Sequence, residues 1–188
     1  MAYVPDAESD IFISYPLEAK GWAEHFEQDL AKELGQWLPA SELRIYLGER
    51  DWQLAPAHEM LEKARRAAFF VVTLVPGALV DERMRFFQQE WEAFGRSVGL
   101  FGSVETRFAP VLLKPIEGKR IAQFFPTTNE KSFWRSFEFY FESKGVPHTL
   151  ERSSGRSATY RKRITEVAWQ IKRRLEQIKE RSLAAPNN

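Results

Sequence analysis

One carboxylate sits where an amphipathic helix calls for apolar side chains. Between about Asp81 and Ser97, Phe87, Trp91 and Phe94 recur at i, i+4 and i+7, the spacing of a single helical face. At roughly 100° per residue, Phe86, Phe87 and Phe94 fall within about 60° of Glu90, whereas Glu82, Gln88, Gln89 and Glu92 take the other side. Glu92 therefore reads as ordinary solvated charge, and Glu90 as a carboxylate pointing along an aromatic face. Burial without a partner costs several kcal/mol, so Glu90 needs a cleft, a ligand or a buried cation. The alternative is a helix rotated slightly, with Glu90 at the margin of the core.

Two other segments carry groups that belong with it. Ser14 and Tyr15 close a compact apolar run that begins at Asp10, and Arg50, Asp51 and Trp52 lie in a polar loop after a second short run, Leu43–Leu47. In an open parallel sheet, ligands bind beyond the carboxyl ends of the strands, where the strand order reverses. All three segments reach that edge if the apolar runs are strands. The combined set suits a nucleotide: a guanidinium for phosphate, aromatic faces for a base, and a carboxylate for ribose hydroxyls. Neither usual phosphate cradle is present, since the chain has no Walker loop and no GxGxxG. The strongest strand ends in Val75 and the first in Ser14-Tyr15, where a phosphoacceptor receiver would want acidic residues. His25, His58 and His148 are far apart and lack ligand spacing.

The elements that must position these groups follow from periodicity. Apolar runs at Asp10–Tyr15, Leu43–Leu47, Ala68–Val75 and Phe108–Leu113 predict strands, the first of them buried on both faces. Between them, helices are predicted from Trp22, Phe26, Leu30, Leu34 and Trp37, over about 57–66 with Pro56 at its start, and over the Glu90 segment. Ile164, Val167, Ala168, Ile171, Leu175 and Ile178 form the stripe of a last helix. Alternating strands and helices imply right-handed crossovers and a mainly parallel sheet of about five strands, covered on both faces. Residues 1–9 read as a polar lead, 10–182 as one domain and 183–188 as a flexible tail. The stretch 116–156 is aromatic without clean periodicity. Its run Phe137–Phe141 reads as core rather than as a docking surface.

Composition limits the function classes. The 188 residues are 44% hydrophobic and 14% aromatic, with a formal net charge of +1 and no cysteine. That describes a globular chain, without general attraction to nucleic acid or acidic membranes, and without disulfides, thiolate metal sites or a cysteine nucleophile. The basic residues of the last helix, Arg161 to Arg163 and Lys172 to Arg174, are interleaved with Glu166, Glu176 and Glu180, as on a solvated face. No apolar run approaches the roughly 20 residues of a membrane span, and the start lacks a signal-peptide pattern. A cytoplasmic protein is the expectation.

With these residues in view, the chain resembles a Toll/interleukin-1 receptor (TIR) domain, and more closely the bacterial, NAD-cleaving members. Asp10-Ile-Phe-Ile-Ser-Tyr15 is similar to the first box of that family. Arg50-Asp51 with Pro56 is similar to the second box, in the BB loop, although Ala57 stands where the family has glycine. Val75-Pro-Gly-Ala-Leu79, followed by Gln89-Glu90-Trp-Glu-Ala-Phe94, resembles the strand, loop and helix that bear the catalytic glutamate. Glu90 rather than Glu92 then aligns with that residue. Phe86, one turn earlier, stands where NAD-cleaving members often have Trp. The resemblance covers about 10–113 well and the rest loosely.

The resemblance implies a flavodoxin-like α/β fold and cleavage of the nicotinamide–ribose bond of NAD+, with NAD+ as substrate and no further cofactor or metal. Glu90 would be the catalytic residue; Ser14, Tyr15, Arg50, Asp51, Trp52 and Phe86 would bind substrate. The product would be ADP-ribose or a cyclic form of it. Homotypic self-association would activate the enzyme, with neither nucleic acid nor membrane as partner. The alternative is a non-catalytic assembly or adaptor module working through the same self-association. A nucleoside N-glycoside transferase shares the carboxylate logic but needs a second acidic or nucleophilic residue that the sequence does not place.

Overall fold

A computed structural model describes residues 2–39, 41–48, 57–78, 81–97, 101–125 and 136–184, with side chains left aside at 81–86 and 105. In chain order these form β1 (Ser9–Ser14), α1 (Lys20–Leu34), β2 (Ile45–Leu47), α2 (Ala57–Arg65), β3 (Ala67–Leu74), α3 (Asp81–Gly95), β4 (Phe108–Leu112), α4 (Gly118–Phe124), β5 (Phe137–Glu138), β6 (Tyr140–Ser143), β7 (Val146–Thr149) and α5 (Ser157–Ala184). Five strands pair in the order β2-β1-β3-β4-β5, every neighbour parallel. The protein is thus an α/β fold of flavodoxin-like topology, with helices flanking a parallel sheet. The order reverses between β1 and β3, which places the switch point there.

Side-chain alternation sorts the core into two halves. Ile11, Ile13, Val71 and Val111 point to one face. They pack with Phe26, Leu30 and Leu34 of α1 and with Ile164, Val167, Ile171 and Leu175 of α5. Phe12, Phe70, Val72 and Leu112 point to the other, against Ala64 of α2, Phe87, Trp91 and Phe94 of α3, and Ile121 of α4. This second half is an aromatic stack: the Phe70 ring lies 5.5 Å from Phe12 and 5.2 Å from Phe94, and Trp91 lies 4.6 Å from Phe108. The last-helix stripe predicted from Ile164 to Ile178 is buried throughout. Among the described residues, no helix is long and apolar enough to cross a membrane.

The aromatic stretch that resisted periodic reading is now intelligible. Phe137 and Phe139 are buried and Glu138 between them is exposed, so the chain alternates as a strand does. It pairs as the two-residue β5 and then leaves the sheet for the antiparallel hairpin β6–β7. Two residues are too few to show a period. The Phe139 ring meets Trp22 and Phe26 of α1 edge-on, at 5.2 and 5.6 Å. Trp37, counted with the α1 stripe, lies beyond the helix end and is partly exposed.

The lead into the sheet is tied down rather than loose. Val4 is fully buried, and the carboxylate of Asp10 accepts hydrogen bonds from the backbone N–H groups of Tyr3 (3.1 Å), Val4 (2.8 Å) and Arg44 (2.8 Å). One side chain therefore joins the N-terminal segment, β1 and the entry to β2. Burial raises the pKa of Asp10 above the usual carboxylate range, and the backbone donors from Val4, Arg44 and Tyr3 pull it back down. Replacing Asp10 with Ala strips the acceptor from all three N–H groups. Each such loss costs about 1–3 kcal/mol when the donor stays dry, so D10A is expected to lose about 3 kcal/mol or more in urea unfolding.

Candidate active site at the carboxyl edge of the sheet

Glu90 is 2% exposed, on the same face of α3 as the buried Phe87 and Phe94, while Glu92 is exposed. The helical-wheel distinction between the two glutamates is therefore correct. The slightly rotated helix, with Glu90 at the core margin, is not what forms. The fully buried Ser14 donates a hydrogen bond from its hydroxyl to Glu90 Oε2. The parity of β1 explains why these two groups meet. Phe12 faces α2 and α3, so Ser14, two residues on, faces the same side at the end of the strand. Tyr15 follows directly and is also buried.

Glu90 is the tenth residue of α3, about 13 Å from the helix start at 1.5 Å rise per residue. The helix descends from the carboxyl edge between the parallel strands β3 and β4, and Glu90 meets β1 at its last residue. Its first turns therefore rise beyond the sheet edge, above the switch point. Phe86 belongs to those turns, although its side chain lies outside the described residues. Arg50, Asp51 and Trp52 also lie outside them.

A second contact fixes the far end of the same helix. Arg107, fully buried just before β4, donates from Nη1 to the carbonyls of Ala68 (3.1 Å) and Ala67 (3.4 Å), from Nε to Gly102 O (3.1 Å) and from Nη2 to Ser97 Oγ (3.1 Å). Ser97 passes the bond on to Phe94 O at 2.7 Å. The guanidinium also stacks 4.3 Å from the Phe94 ring, and a cation suits a helix C-terminus. Burial lowers the Arg107 pKa to about 10, which leaves it charged at neutral pH. In sequence Arg107 is indistinguishable from a surface cation. No spacing rule marks it, because three of its acceptors are backbone carbonyls, which every residue carries, and the fourth is the Ser97 hydroxyl.

The three histidines are exposed, and among the described residues no group of His, Asp or Glu could hold a metal ion. The basic residues of α5 lie on its outer side, with Arg163 paired to Glu166 and Lys172 to Glu176. Among the described residues, Ser14 and Glu90 are predicted site residues that the structure joins directly. No protein-family model matches this sequence, and no curated protein matches it either. The fold and site define a flavodoxin-like α/β domain with a buried carboxyl group beside its switch point.

A hydrogen bond to a buried carboxyl group carries more than a surface contact. In a double-mutant cycle of S14A, E90L and the double variant, the coupling energy between the two positions is expected at about 1–3 kcal/mol. Additive stabilities in urea unfolding would show that the two side chains do not depend on each other.

Proposed function

We propose that this chain is a TIR-type domain that cleaves the nicotinamide–ribose bond of NAD+, with Glu90 as the catalytic residue. The observation that carries the reading is Glu90 itself. It is a carboxyl group kept out of water on an aromatic helix face, held by Ser14 beside the β1/β3 switch point. A structural role alone would be filled more cheaply by another apolar side chain, since burying a polar group costs free energy even when it is paired.

The chemistry suits a single carboxylate. Nicotinamide is already cationic in NAD+, so the C1′–N bond can break with its electron pair passing to the ring nitrogen. Neutral nicotinamide leaves without a general acid. The ribose is left with oxocarbenium character, and a nearby carboxylate stabilises that charge and holds the ribose hydroxyls, as in glycoside hydrolysis. Water then attacks C1′ and releases a proton, giving ADP-ribose; capture by a nucleophile within the same molecule gives a cyclic product instead. Ser14 acts as a positioning residue, fixing the carboxyl group through Oε2. Arg50, Asp51, Trp52, Tyr15 and Phe86 complete substrate binding in this proposal. Self-association brings the chain to its active form.

Concentrated protein incubated with NAD+, with and without a crowding agent, is expected to release nicotinamide, read by chromatography. Glu90→Gln is expected to lower the rate at least about a hundredfold, the scale of losing a preorganised electrostatic contact, while unfolding at wild-type denaturant concentration to within a few tenths molar. Nicotinamide release retained in E90Q would overturn the assignment. Oligomers without release under any condition would favour the assembly module.

A further inference from the structure

A polar cleft lies at the other end of the sheet. It has a volume of about 530 Å³ and is lined by the amino end of β1 at Glu8 and Ser9, by Arg44 and its neighbours at the entry to β2, by Glu27 of α1 and by Lys63 of α2. That volume falls within the roughly 300–1,000 Å³ of small-molecule sites. It is separate from Glu90, which lies beside the last residue of β1, whereas this cleft opens at the first.

The charges lining it divide into a matched and an unmatched set. Glu8 and Lys63 form an ion pair with each other. Glu27 has no hydrogen-bond or ion-pair partner among the described residues; burial alone raises its pKa. The exposed Arg44 guanidinium likewise has no described hydrogen bond or ion pair, although its charge is felt by Asp10. Ser9 is 5% exposed, and its hydroxyl has no partner among the described residues. One anion, one cation and one hydroxyl therefore remain, between the apolar walls of Ala31, Leu43 and Ile45.

We infer that this cleft binds a small zwitterion, an α-amino acid or short peptide with an apolar side chain, its ammonium group at Glu27 and its carboxylate at Arg44. A simple cation or anion would answer one of the two unmatched charges and leave the other. A water molecule can satisfy Ser9 but neither ion. A zwitterion answers both without adding net charge, and its side chain covers the aliphatic wall.

The probes are leucine and leucyl-leucine, titrated into the full chain with amide chemical shifts as the readout. At least one is expected to shift residues of the cleft saturably. N-acetyl-leucine, lacking the ammonium, and leucinamide, lacking the carboxylate, are expected to bind about tenfold or more weaker. Glu27→Gln and Arg44→Gln are each expected to lower the zwitterion's affinity by a similar factor, with unfolding midpoints near wild type confirming that both variants fold. The absence of saturable shifts with both zwitterions would overturn the inference. So would affinities unchanged in both variants.

Discussion

A carboxyl group can be kept inside an aromatic layer only if something polar is brought to meet it, and much of this architecture follows from how that is done. The donor is Ser14, and it reaches Glu90 because β1 alternates. Phe12 and Ser14 share a face, that face receives α3, and the strand stops where the hydroxyl is needed. The sheet order places β3, and with it the start of α3, directly beside β1. A different strand between them would carry the helix away from Ser14.

The helix is then held at two heights. Ser14 meets it at Glu90, and Arg107 grips its C-terminal end through Ser97 and the Phe94 ring. Between these points Phe87, Trp91 and Phe94 press on the sheet. Hydrophobic burial is non-directional. It pulls the helix down without choosing its rotation, and the two polar contacts supply that choice. The first strand is anchored in a similar way, with the Asp10 carboxylate binding three backbone donors at its start and the Ser14 hydroxyl binding Glu90 at its end.

Much of this was legible in the residues, for reasons that can be stated. The parallel strands announce themselves as short uninterrupted apolar runs, and α3 and α5 as stripes, because burial on two faces or on one leaves distinct periods. Glu90 stood out because it breaks such a stripe; Glu92, two positions on, does not. What stayed hidden has no period to reveal it. Strand β5 is two residues long. Arg107 finds its acceptors in three carbonyls, which every residue carries, and in the Ser97 hydroxyl. Glu27, Arg44 and Ser9 come together from three separate elements, each unremarkable in its own segment. Contacts of this kind arise from topology, and a single sequence records topology only indirectly.

Strand β1 is paired on both sides, by β2 and β3, and every one of its residues is buried. Its amides therefore have no edge from which to fray, and exchange with solvent at β1 requires the sheet itself to come apart. The Ser14 side of the carboxyl contact is in effect a fixed wall, as long-lived as the folded state. A rearrangement of the Glu90–Ser14 contact that leaves the sheet intact must then come from the side of α3.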